Sequence, residues 1–193
     1  IDNLWVIPSW KNMAEFPTLA ANDPERNWRL SRRLAGVDAI YDLIIFDAPP
    51  SMGLVNINIL LATEEVVIPV GTTFLALDGC AEMVDTVSRV SKEYDHPNLR
   101  VSFIVPTMYR KTQLADAVVE KLKEYFPDRI CDPLGLNVAI DEAQSHGQTI
   151  WEYAPWSRGA TILQAVAEAV DRGSVRRVAT AVSTEGAMRE AVL

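Results

Sequence analysis

The chain has 193 residues and a mass of 21.4 kDa, with 49% hydrophobic and 23% charged residues. That composition excludes a disordered chain, a collagen-like repeat and a disulfide scaffold, and no apolar run reaches the roughly 20 residues of a membrane helix. A net charge of −8 and a pI of about 4.8 oppose a whole-surface attraction to nucleic acid, while leaving room for a local basic patch.

No basic segment leads into an apolar stretch, so no secretory signal is visible, and a soluble cytosolic domain is expected. Cys80 and Cys131 lie far apart and read as small buried hydrophobes in a reducing compartment. The first residue is Ile1, which is not what removal of a start methionine normally leaves, so further residues are expected upstream.

Leu4-Trp5-Val6-Ile7-Pro8 reads as a short strand. Residues 24–36 read as a helix, with Trp28, Leu30, Leu34 and Val37 as candidate core contacts. Three β-branched runs come next: Leu43-Ile44-Ile45-Phe46, Val66-Val67-Ile68-Pro69-Val70 and Val101-Ser102-Phe103-Ile104-Val105. Each is short and nearly continuous, as expected of strands buried on both faces of a parallel sheet.

Cys80, Met83, Val84, Val87, Val90 and Tyr94 keep helical spacing. Leu114, Val118, Leu122, Tyr125 and Phe126 do the same, with Thr112 as N-cap and Pro127 as stop. A last helix is expected after Ser157, with Ile162, Leu163, Val166, Ala167 and Val170 on one face. The alternation predicts an open α/β fold, a mostly parallel sheet flanked by helices. Residues 1–172 read as one domain and residues 173–193 as a tail or short terminal helix.

The segment richest in chemistry is Tyr41-Asp42-Leu43-Ile44-Ile45-Phe46-Asp47-Ala48-Pro49-Pro50-Ser51. An apolar strand would deliver the Asp47 carboxylate to its C-terminal end, where open α/β sheets bind ligands. Nucleotide hydrolases hold Mg²⁺ beside phosphates with such a carboxylate, and an ordinary strand end with a capping Asp is the plainer alternative. No His or Cys spacing indicates a zinc site, and His146 reads as a loop hydrogen-bonding residue.

Over roughly Leu4 to Val170 the chain resembles the ParA-type partition ATPases of the deviant Walker A group, with Tyr41 to Ser51 as the first of the shared segments. Beyond Ser51 the resemblance runs through Gly53, Asn58 and Leu60, Val67-Ile68-Pro69-Val70, Ala76-Leu77-Asp78-Gly79, Pro106-Thr107-Met108-Tyr109 and Thr112-Gln113-Leu114. It continues through Asn137-Val138, Glu142-Ala143, Ser145-His146-Gly147 and Tyr153-Ala154-Pro155 to Ser157-Arg158-Gly159-Ala160. It implies a P-loop NTPase-like fold and a cytoplasmic, nucleoid-associated homodimer that uses ATP and Mg²⁺ and binds DNA non-specifically. A centromere-binding, ParB-like partner would stimulate hydrolysis. It also implies that Asp47 is the metal-side, catalytic carboxylate, that Thr107, Met108, Gly135 and Asn137 lie about the adenine, and that Arg158 and Arg129 contact DNA phosphates. Local roles compete with each assignment: core filling for Met108, a solvated first turn for Arg158, and local pairing for Arg129.

The resemblance is incomplete in one place. A phosphate-binding loop needs glycines whose N–H groups cradle phosphates and a lysine for their charge, yet no glycine in the chain is followed by lysine. The chain by itself is therefore expected to have little or no ATPase activity. It is expected to be the C-terminal two-thirds of a longer ATPase, with the phosphate-loop strand missing from beside the strand ending at Asp47. Gly71-Thr72-Thr73, Arg110-Lys111-Thr112 and Gly135 also depart from the family pattern. Two other readings stay open: a same-fold ATPase that positions another cargo, and a loop-less binding module that hydrolyses nothing. MinD-like membrane targeting is disfavoured, because residues 173–193 mix Arg176 and Arg177 with Glu185 and Glu190 and have no large aromatic residue.

Overall fold

In chain order, a 3₁₀ turn at Lys11–Glu15 leads into α1 (Phe16–Leu19), and a second at Arg26–Trp28 leads into α2 (Arg29–Leu34). Then come α3 (Leu54–Leu60), β1 (Glu65–Gly71), α4 (Phe74–Glu93), β2 (Arg100–Thr107) and α5 (Gln113–Tyr125). The last elements are α6 (Val138–Ser145), α7 (Ile150–Tyr153) and α8 (Arg158–Arg176). The computed structural model describes residues 3–37, 39–50 and 53–176. The tail read over residues 173–193 lies almost wholly outside them.

The β-branched runs at 66–70 and 101–105 form β1 and β2, which pair in parallel from Glu65↔Arg100 to Gly71↔Thr107. The register slips by one residue between Val66 and Val67, so Ser102 is the extra residue of a bulge. Ser102 is buried, and its hydroxyl has no hydrogen-bond partner among the described residues. β1 alternates in burial at its centre and carries Pro69, which lacks a ladder donor; both are marks of an edge strand. β2 is buried from Val101 to Pro106. It lies between β1 and the irregular segment 129–135, which bonds to it through Ile104 N–H to Arg129 O (2.9 Å), Cys131 N–H to Ile104 O (2.9 Å) and Leu134 N–H to Pro106 O (2.8 Å).

Helix α4 packs against both strands and α8 against β2. The main core joins Leu60 and Leu61 of the α3 end, Ile68 and Val70 of β1, Leu77, Cys80, Val87 and Val90 of α4, and Val118 and Leu122 of α5. The helices read from these spacings form as α4, α5 and α8, although Leu114 of α5 is 45% exposed and Ala167 of α8 is exposed. Thr112 and Ser157 cap as expected, accepting from Ala115 N–H (3.2 Å) and Ala160 N–H (3.1 Å). Phe103 is buried on β2, and α8 approaches it at Gly173, where a β-carbon would come within 2.8 Å of the ring.

Three expectations are corrected. The helix read over residues 24–36 is shorter and ends where Gly36 turns at φ +88°, a left-handed angle that favours glycine. Cys131 is half-buried, whereas Cys80 is buried as expected. The strands expected at residues 4–8 and 43–46 do not form: both stretches have no regular secondary structure and lie outside any sheet. Apart from the half-buried Phe46, their apolar side chains face solvent, with Ile7 91% and Ile45 79% exposed. A strand exists only by its ladder, and among the described residues neither segment has a neighbouring strand to exchange hydrogen bonds with.

Candidate functional site

β1 and β2 end side by side at Gly71 and Thr107, the edge at which open parallel sheets bind ligands. Just past β1, the Thr73 hydroxyl accepts from Ala76 N–H at 3.3 Å and starts α4. Past β2, Met108 takes a left-handed backbone at φ +53° and stands 69% exposed. A non-glycine residue at such an angle costs about 1 kcal/mol or more and is kept only where its surroundings hold it.

The neighbours of Met108 supply that hold. Tyr109 N–H donates to Leu134 O (3.1 Å), and Leu136 N–H donates to Tyr109 O (3.3 Å), which lays Gly135 beside Tyr109. The Tyr109 hydroxyl donates to Asp116 in the first turn of α5 at 2.5 Å. That bond to a carboxylate raises the Tyr109 phenol above its ordinary range, partly offset by the positive charge of Arg158.

Asn137 is the N-cap of α6, its side chain accepting from Ala139 N–H at 3.0 Å. It packs against Gly159 in the first turn of α8. Thus Thr107, Met108, Gly135, Asn137 and Arg158 are brought to one rim by the ends of β2, α6 and α8.

Of the two remaining expected site residues, Arg129 stands elsewhere and Asp47 lies on a segment outside the sheet. Arg129 is half-buried and donates to Val101 O at 3.2 Å, at the start of β2 and about 20 Å along the strand from Thr107. Asp47 is exposed on the irregular segment after residue 46 and makes no hydrogen bond or ion pair among the described residues. That segment is tied down two residues later, where Asn56 Nδ2 donates to Pro49 O at 2.9 Å. Among the described residues, no three His, Cys, Asp or Glu side chains gather as a metal cluster.

The Tyr109–Asp116 bond is one that no sequence motif announces. Helix α7 is also absent from the sequence reading, although Thr149-Ile150-Trp151-Glu152 is a capping box visible as a T-x-x-E spacing. His146 hydrogen-bonds Glu142 O through Nδ1 (2.8 Å) and stacks near Tyr153, with ring centroids 5.2 Å apart, the local role expected of it.

Residues 1–101 match the family model described as an AAA domain. The chain is 36% identical over 171 residues to the sporulation initiation inhibitor protein Soj of Bacillus subtilis, covering 88% of this chain and 68% of that protein. It is 33% identical over 172 residues to the chromosome-partitioning ATPase Soj of Treponema pallidum, with the same coverages. Among solved structures, McdA from Cyanothece in complex with ATP superposes with a TM-score of 0.75 at 16% identity, over 90% of this chain and 67% of that one. Cobyrinic acid a,c-diamide synthase from Mycobacterium smegmatis, with bound ADP and magnesium, superposes with a TM-score of 0.67 at 24% identity, over 88% of this chain and 63% of that one. These structures carry the fold, a parallel α/β sheet of the P-loop NTPase kind, and the relatives carry the family: the chain belongs to the ParA/MinD-type partition ATPases.

Proposed function

We propose that the chain serves in nucleotide-switched positioning of DNA, plasmid or chromosomal, as part of a cytoplasmic, nucleoid-associated homodimer stimulated by a ParB-like, centromere-binding partner. The observation that carries this reading is the grouping of Thr107, Met108, Gly135 and Asn137 at the C-terminal end of two parallel strands in a chain akin to Soj.

In this reading the exposed Met108 side chain and the Gly135 backbone flank an adenine, and Thr107 and Asn137 fix the loops that carry them. ATP is the nucleotide, and a Mg²⁺ ion would neutralise charge on its phosphates. Asp47 fits that ion by its chemistry: an exposed carboxylate, uncommitted among the described residues, suits a metal held through water. Arg158 contacts DNA phosphates. Arg129 is the weaker candidate for that role, since its guanidinium already serves a backbone carbonyl.

The 193 residues contain no Gly-Lys phosphate loop, and preorganised phosphate contacts supply most of the catalysis in phosphoryl transfer. No turnover is expected of these residues alone. That same feature favours a second reading, a binding module that pairs with a complete ATPase and hydrolyses nothing. The test is Asp47→Ala in a chain that also carries a phosphate loop, with Mg²⁺-dependent ATP turnover as the readout. Loss of turnover supports the assigned role, and unchanged turnover removes Asp47 from it.

A further inference from the structure

The Met108 turn does not hold itself. Its φ of +53° is one that a residue with a side chain rarely keeps, and a side chain 69% exposed packs too little to fix it. Tyr109 restrains the turn from two directions. Its N–H donates to Leu134 O (3.1 Å) and its carbonyl accepts from Leu136 N–H (3.3 Å). Gly135 is held between those bonds, and a β-carbon on it would lie 3.5 Å from Tyr109 O. The Tyr109 hydroxyl reaches the other way and donates to Asp116 at 2.5 Å.

Asp116 is a firm anchor for that hydroxyl. Its N–H donates to Thr112 O (2.9 Å), while the Thr112 hydroxyl accepts from Ala115 N–H (3.2 Å). Ala115 before it and Val118 after it are buried, and a carboxylate in the first turn of a helix is favoured by the helix dipole. The bond thus ties the residue that follows Met108, and that brackets Gly135, to the start of α5. It closes across the exposed Arg110 and Lys111. Arg110-Lys111-Thr112 is a stretch where the chain departs from the family pattern, so the tie belongs to this chain's own residues.

We propose that Tyr109 and Asp116 are positioning residues of the nucleotide site, their hydrogen bond holding the Met108 turn against the Gly135 segment and so setting affinity for the base. The inference rests on the reading that Met108 and Gly135 flank an adenine. Neither Tyr109 nor Asp116 has to touch the nucleotide. Without the bond the turn is free to leave its strained angle. Only the fraction of molecules still at that angle then binds, and the apparent Kd rises by the inverse of that fraction.

The experiment is an NMR titration of the 193-residue chain, labelled at its methionine methyls, with ATP and separately with inorganic tripolyphosphate. The Met108 methyl signal is expected to move with ATP, under the ring current of the base, and to stay in place with tripolyphosphate. Tyr109→Phe keeps the ring and Asp116→Ala keeps the helix. Each is expected to raise the Kd for ATP about 5- to 20-fold, and the double variant no further. Asp116→Asn retains an oxygen that accepts from the hydroxyl and should recover most of the loss. Melting temperatures within about 4 °C of the wild type are expected throughout, since one hydrogen bond at the rim is at stake. Unchanged ATP affinity in Tyr109→Phe and Asp116→Ala overturns the proposal and leaves the adenine slot standing. Losses that multiply in the double variant, or an Asp116→Asn chain as weak as Asp116→Ala, also overturn it, because the shared bond is then not the cause. A wild-type Met108 methyl that ignores ATP removes the adenine slot itself and the proposal with it, and the Asp47 experiment then judges the broader reading separately.

Discussion

Gly159 leaves open the space that the Asn137 side chain fills: a β-carbon at 159 would lie 2.6 Å from Asn137 Nδ2 and 3.1 Å from Ile140 Cδ1. The same Asn137 side chain caps α6, so one glycine lets the start of α8 approach the start of α6 without breaking a cap. Gly159→Ala must push the amide aside or separate the helices, costing about 1–3 kcal/mol through overpacking and cap loss. For a domain of this size that lowers Tm by roughly 2–12 °C. Asn137→Ala removes the atom in the way, so the double variant should lose less than the sum of the single losses. Additive losses in thermal melts would show that the two residues do not press on each other.

Much of this architecture is legible in the sequence, and what is not has a physical cause. β1, β2, α4 and α5 follow from runs and spacings because each buries its own apolar pattern against neighbours present in the chain, whereas the face read on α8 is only half-buried. Leu43-Ile44-Ile45-Phe46 carries an equally apolar pattern and forms no strand, because pattern encodes a readiness to pair and the ladder needs a second strand. α3 is hidden from a hydrophobic period because its buried positions include Asn56 and Asn58, polar residues that such a period does not count. At the site, Met108 and Asn137 are legible by motif, while the bond holding the Met108 turn depends on Tyr109 and Asp116 meeting across a loop.

Asn58, the second of those buried amides, carries its own prediction. It is buried and donates to Arg26 O (2.8 Å) and Leu54 O (2.9 Å), while accepting from Leu30 N–H (3.1 Å). One side chain therefore clamps α2 and the turn before it onto α3. Asn58→Leu keeps apolar volume but strands a buried donor and acceptor, at a cost of about 2–4 kcal/mol. Urea unfolding should show a lower midpoint with an unchanged m-value. A midpoint within error of the wild type would mean that water reaches these groups and the clamp contributes nothing.

Two helical glycines should respond to alanine in opposite directions. At Gly79, within α4, nothing lies within 4 Å of the place a β-carbon would take, so Gly79→Ala gains helix propensity and is expected to stabilise by about 0.5–1 kcal/mol. At Gly173 the β-carbon would meet the Phe103 ring at 2.8 and 2.9 Å, so Gly173→Ala should destabilise by about 1–3 kcal/mol. Melting both variants side by side is the check. A fall in Tm for Gly79→Ala, or none for Gly173→Ala, would contradict the packing described for that helix.

The buried thiol of Cys80 links stability to alkaline pH. Burial pushes Cys80 up from 9.0 to about 12, so the folded chain holds this proton more tightly than the unfolded chain. The associated stability is fully present below pH 9 and is lost as pH rises through the window from 9 to about 12, at up to about 1.4 kcal/mol per pH unit. Cys80→Ala leaves a small cavity and lowers stability at every pH, but it removes this slope. Between pH 8 and pH 10 the wild type should therefore lose about 1.4 kcal/mol more than the variant in urea unfolding. Cys131 is raised by burial and by the neighbouring Asp132 but is only half-buried, so a thiol reagent should label it first, with Cys80 following only on unfolding. Parallel pH profiles for wild type and variant would mean that the Cys80 thiol ionises as easily folded as unfolded, against the burial that α4 gives it.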